Sequence, residues 1–245
     1  MDNSRTNLTA LLEARTRQFQ RLAGTIQGLD DYLRWVADHE NPHRPLPEFH
    51  HCSFIGLIGE NHSRVGCLLH PLTPQNKGCD FRGISYYGGM ACRTYFCPSH
   101  RHLTPDHQRI LVEAALDWYE YGLIATEHLL ITTFLTEIHR QRRFHFSGKP
   151  DPLMIHAVGN LIRWKVDWPF RNHPVRDRIH YFFQDELYRR PAFPDPSTKT
   201  DSPAIQTILQ ELGSSFQSPA QRTAAERLLR EAIDAVGRSD IHDTV

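Results

Sequence analysis

Five thiols carry the most distinctive chemistry of this chain. Cys52, Cys67, Cys79, Cys92 and Cys97 fall within one short stretch, and no cysteine occurs elsewhere. The spacing is Cys52-x14-Cys67-x11-Cys79-x12-Cys92-x4-Cys97, with a histidine close behind the second thiol in Cys67-x2-His70. Thiolates are soft ligands that suit zinc and iron–sulfur clusters. Zinc sites use paired knuckles of two to four intervening residues, for which Cys67-x2-His70 and Cys92-x4-Cys97 are the two candidates. A cubane cluster accepts wider spacing when the fold gathers its ligands, and Cys97–Pro98 matches the Cys-Pro pair that closes ferredoxin ligand runs. One metal centre is expected, a [4Fe-4S] cluster or Zn. Cys52, Cys67, Cys92 and Cys97 are the expected ligands, since each sits among apolar or aromatic neighbours. Cys79, between Gly78 and Asp80, is the expected spare, and His70 the alternative fourth ligand. Phe54, Tyr86, Tyr87, Tyr95 and Phe96 are expected to shield the centre. Two other readings compete: unrelated reduced cysteines, and a Cys92–Cys97 redox pair, although four intervening residues do not make a C-x-x-C motif.

The segments around Cys52–Phe54–Ile55, Cys67–Leu68–Leu69–His70–Pro71 and Cys92–Arg93–Tyr95 resemble a family of zinc- or iron-chelating, Cys-cluster bacterial proteins. The resemblance is confined to residues 52–97, and the closely spaced upstream cysteines of that family have no counterpart here. It implies metal chelation without an established reaction.

Other constellations are weaker. Asp106, Glu113, Glu120 and Glu127 recur every seven residues and read as a solvated acidic helix face. A di-iron bundle also needs Glu-x-x-His on helices, and the two matches, Glu40–His43 and Glu48–His51, fall in or beside a proline-rich connector. The basic run His139–Arg143 sits where a helix C-terminus favours cations. Arg163–Trp164–Lys165 and Trp168–Arg171 mix basic and aromatic residues as single-strand binders do, but zero formal net charge argues against nucleic acid. No P-loop, dinucleotide glycine motif, nucleophile elbow or zincin helix is present.

Helices must position the thiols. Residues 7–39 carry apolar side chains at three–four spacing, which predicts one long amphipathic helix with Arg15 interrupting its seam. Prolines in residues 41–50 predict an extended connector. Two short strands are expected in the cysteine stretch, at Phe54–Ile58 and Arg64–Leu68. Thr104–Pro105–Asp106 marks a helix start, with a helix or helix pair to about Arg143 and a break at Gly122. Further helices are predicted over Pro152–Trp164, Val175–Arg189, Pro203–Leu212 and Pro219–Val236, the last opened by a capping box of Ser218 and Gln221.

The fold class expected is mainly α, with long helices packed around an irregular Cys/Gly-rich metal-binding insert. The domain division expected is a helical domain over 1–190 containing the insert at 50–102, a Pro/Ser-rich linker at 191–202 and a C-terminal helical hairpin at 203–245. Hydrophobic content of 40% and charged content of 23% fit a globular chain able to bury a core. The polar N-terminus lacks a signal-peptide apolar region, and no apolar run is long enough to span a membrane. A cytoplasmic location is therefore expected, where clustered thiols read as ligands more readily than as disulfides. A protein partner is expected through the N-terminal helix or C-terminal hairpin. The expected role is redox, sensing or structural. The alternatives are a metal-dependent enzyme with an open position at His70 or at His100 and His102, and an interaction module stabilised by the metal.

Overall fold

The computed structural model describes residues 4–22, 24–43, 51–141, 151–171, 182–184, 187–189 and 202–237. The protein is mainly α-helical and divides into two compact units, 1–95 and 96–245. That boundary falls inside the expected insert and separates Cys97 from the other four cysteines. The stretch is therefore no insert between helices of one domain: most of it completes the first unit.

The first unit opens with helix α1 (Arg5–Leu22) and helix α2 (Ile26–His39), where one continuous helix was expected. The break has a local cause. Gly24 adopts φ +124°, a region that L side chains rarely enter. Thr25 then caps α2, its side chain accepting the Gly28 N–H, as Thr does at N-caps. The two helices run back along each other: Phe19 meets Tyr32 edge-on at 5.3 Å, while the earlier Arg15 pairs with the later Glu40. Against them packs a two-stranded hairpin, β1 (Ile55–Ile58) and β2 (Arg64–Cys67), in antiparallel register with Ile55 opposite Cys67 and Ile58 opposite Arg64. This matches both expected strands closely. Phe19, Leu29, Tyr32, Val36, Phe54, Leu68 and Leu69 form the core of the unit. Tight turns (74–76 and 82–84) lead to the short helix α3 (Gly88–Thr94).

Arg15 does not interrupt that packing. It is 4% exposed and makes a bidentate pair with Glu40, both N···O distances being 2.6 Å. Its remaining nitrogen donates to the carbonyls of Cys52 and Ile55. Thr16 Oγ1 donates to the Leu57 carbonyl at 2.8 Å. The outer edge of β1 is thus satisfied by α1 side chains, which buried backbone carbonyls require. Gly56 allows the approach, because a Cβ there would lie 2.6 Å from Thr16 Oγ1.

The second unit has its own core. It contains α4 (Pro98–His102), α5 (Pro105–Ala114), α6 (Trp118–Ile124), α7 (His128–Gln141), α8 (Pro152–Val166), α9 (Pro203–Glu211) and α10 (Pro219–Gly237). The Thr104 cap and Pro105 start are as expected, Thr104 accepting from the His107 N–H. The chain breaks near residues 115–117 and 125–127, not at Gly122, which lies inside α6. Consequently the heptad acids do not share a solvated face: Glu120 and Glu127 are 5% and 1% exposed. The C-terminal helices are no detached hairpin, since Ile205, Ile208, Leu229 and Ile233 bury in one cluster with Phe134, Leu135 and Leu161. Within 175–189 the described backbone is strand, β3 (Phe182–Gln184) pairing antiparallel with β4 (Leu187–Arg189). Aromatic Phe182, Phe183 and Tyr188 favour this over the expected helix. Residues 44–50 of the expected connector and 191–201 of the expected linker lie outside the described residues.

The basic–aromatic segment is interior. Lys165 is fully buried and Trp168 is 3% exposed, with Trp168 Nε1 donating to Ser214 Oγ at 2.8 Å. Arg171 donates to the carbonyls of Leu212 and Lys165, tying the end of α8 to the end of α9. No nucleic-acid stripe forms there. Among the described residues no helix is long and apolar enough to cross a membrane.

Candidate metal centre

Cys52 stands just before β1 and Cys67 ends β2, so the hairpin register brings them to the same end of the sheet. The backbone N–H groups two residues on, of Phe54 and Leu69, favour the thiolate forms of Cys52 and Cys67. Cys92 comes from α3, its Sγ 3.0 Å from Ser85 Oγ. The Ser85 hydroxyl also lies 2.9 Å from the Arg82 carbonyl, to which it donates. All three cysteines are half-buried.

The three thiols lie within electrostatic reach of one another. Burial pushes the Cys52 thiol above its ordinary range, and negative charge on Cys92 adds to the shift. Burial likewise pushes up Cys67, with Cys52 and Cys92 both contributing. Arg15 opposes the shift at Cys52 and Arg82 opposes it at Cys67. Thiols held protonated in this way are poor nucleophiles at neutral pH. A bound cation would supply the charge that the site lacks.

The surrounding residues hold these thiols in place. Tyr32 donates its hydroxyl to the Ser53 carbonyl at 2.7 Å and stacks on Phe54 at 5.5 Å. Asn76, 2% exposed, donates its amide to the carbonyls of Leu68 and His70, both at 2.8 Å, fixing the turn after Cys67. Asp80 accepts from Arg82 and from Arg93 on α3, at 2.7 and 2.8 Å. The Arg82 bonds hold its carboxyl far below the usual range. That network ties the loop after Cys79 to the helix bearing Cys92. Arg15, Tyr32, Asn76 and Asp80 were not among the expected site residues.

The other candidates fall elsewhere. Cys79 is exposed, in keeping with a spare. Cys97 opens the second unit as the N-cap of α4. His70 Nδ1 accepts the Leu72 N–H at 3.2 Å, which places its proton on Nε2 and makes the ring a donor, so ligation through Nε2 would require the other tautomer. His100 packs on Phe96 at 4.6 Å, and His102 stacks on His128 at 4.3 Å. The expected aromatic shield is reduced to Phe54: Tyr86, Tyr87, Tyr95 and Phe96 are all more than half exposed. Among the described residues, no group of three or more His, Cys, Asp or Glu side chains converges closely enough to hold a metal ion. Cys52, Cys67 and Cys92 therefore sense one another electrostatically without forming a coordination shell.

No protein-family model, curated protein or solved structure matches this chain.

Proposed function

We propose that the first unit is a thiolate metal-binding module. Cys52, Cys67 and Cys92 supply the core ligands of one zinc or iron–sulfur centre, in line with the resemblance to the chelating family. What supports this reading is that three half-buried thiols from three separate elements lie near enough to feel one another's charge. The backbone N–H groups of Phe54 and Leu69 favour the thiolate forms of Cys52 and Cys67, the form a metal requires. Metal binding would displace the thiol protons and draw the three sulfurs to coordination distance, so binding and local folding are coupled. Cys97, the fourth ligand expected from the sequence, belongs to the second unit; within the first unit the candidates for that place are Cys79 and His70. A closed four-thiolate zinc site would be structural, and a cluster would serve redox or sensing. A reducing cytoplasm suits either.

Serine substitution of each cysteine tests the assignment, with metal content measured after anaerobic purification. C52S, C67S and C92S should each lose metal while C79S retains it. The C97S and H70A variants decide the fourth ligand. Equal metal content in all variants would refute the reading.

A second reading rests on a different observation. Tyr86, Tyr87, Met90 and Tyr95 are 75%, 51%, 77% and 60% exposed, and exposed apolar groups clustered along the chain favour contact with a protein partner. In that case the centre only holds the shape of the binding surface. A Y86S/M90S variant that keeps its metal but loses a co-purifying partner would favour it.

A further inference from the structure

A cavity of about 430 Å³ opens in the first unit beside Cys67, and nothing in the thiol centre requires it. Its accessible apolar wall is Ile58 and Leu72, set over the fully packed Phe19, Leu57 and Leu68. Its volume lies within the range of small-molecule sites. The rim is polar and one-signed. Arg64, His62, His70, Gln20 and Gln75 line it, and no carboxylate does. Arg64 makes no ion pair among the described residues. Two of the remaining hydroxyls are already committed, Thr16 to the Leu57 carbonyl and Thr73 to the Cys67 carbonyl. The donors left for a guest are therefore the Arg64 guanidinium, the glutamine amides, the ring N–H of His62 and the Nε2–H of His70.

The loop bearing this rim is held in an uncommon conformation. Asn61 and His62 both have φ +54°, a left-handed region that few non-glycine residues enter and that Asn and His enter more readily than most. Gly59 at φ +80° permits the reversal. Strain of this kind collects where a loop is shaped for a ligand. Here it sets His62 and Arg64 at the mouth of an apolar slot.

We propose that this cavity binds a small amphipathic carboxylate, its apolar body lying against Ile58 and Leu72 and its carboxylate paired with Arg64. A planar, bidentate acceptor is what a single guanidinium fork matches best, and the apolar wall selects a hydrocarbon or single-ring body over a free inorganic anion. The site needs only α1, the hairpin and the turn after it, and its one charged donor, Arg64, is not among the candidate metal ligands.

Calorimetric titration of the full-length protein with 4-phenylbutyrate tests this, with the neutral 4-phenylbutyramide as control. The acid should bind saturably at one site and the amide about 10-fold more weakly or worse. Arg64→Gln, at an exposed strand position, should bring the acid down to the affinity of the amide. Gln20→Trp, from an exposed position on α1, should fill the slot and weaken both. Absence of saturable binding, equal binding of acid and amide, or an unaltered Arg64→Gln titration would each overturn the proposal.

Discussion

At the scale of single residues, the cysteine density was legible and its support was not. Cys52, Cys67 and Cys92 stand out because free thiols rarely cluster without a reason. Arg15 looked like a flaw in an apolar seam, since its partner Glu40 lies on another helix and sequence spacing cannot show the pairing. Both side chains are at most 5% exposed, so removing one leaves the other charge buried and uncompensated. Arg15→Met should destabilise the first unit by about 3–5 kcal/mol in urea denaturation. The Arg15→Met/Glu40→Leu double variant should recover much of that loss, because an apolar pair replaces a buried ion pair at little net cost. If the single and double variants unfold alike, the bonds from Arg15 to the Cys52 and Ile55 carbonyls matter more than its pairing with Glu40.

At the scale of elements, helix starts were readable wherever a cap and a proline coincide, as at Thr104–Pro105 and Ser218–Pro219. In the latter, Ser218 accepts the Gln221 N–H as expected, while Gln221 reaches back to the Gln217 N–H. Breaks inside periodic runs were missed, although signals existed. Asp117 caps α6 and Glu120 reaches back to the Leu116 N–H at 3.0 Å, a capping arrangement mistaken for part of an acidic face. The turn between α1 and α2 was missed because apolar spacing continues across it. Its tightness gives a prediction of unusual sign. Gly to Ala in a helix ordinarily stabilises by up to about 1 kcal/mol. At Gly28 a Cβ would lie 1.8 Å from the Leu22 carbonyl oxygen, so Gly28→Ala should destabilise by about 1–3 kcal/mol, read from the urea midpoint. A neutral or stabilising result would mean that the turn relaxes freely.

At the scale of the whole molecule, the mainly helical class was readable from periodicity, but the division into units was not. Which buried faces meet is a long-range matter, and the C-terminal helices complete a core whose other half lies far upstream. That core holds a buried charge cluster: Lys165 Nζ lies 3.0 Å from the Glu127 carboxylate and donates to the Glu211 carbonyl, with Arg171 nearby. Burial pushes Lys165 below its ordinary range and pushes Glu211 up to about 7, with Glu127 adding to the rise and Lys165 opposing it. For Glu211 the folded state binds the proton more tightly than the unfolded one. Its contribution is therefore present at low pH and is lost as pH rises through about 7. Glu211→Gln should flatten the fall in stability between about pH 5 and pH 8, measured by urea denaturation across that range; an unchanged slope would place the titration elsewhere. Whether the thiols of the first unit hold a metal is decided by the metal content of the full-length protein purified without oxygen. One zinc or several irons per chain are expected, lost from the C52S, C67S and C92S variants and kept in C79S. A folded protein that carries no metal and gains none from added zinc or iron would contradict that expectation.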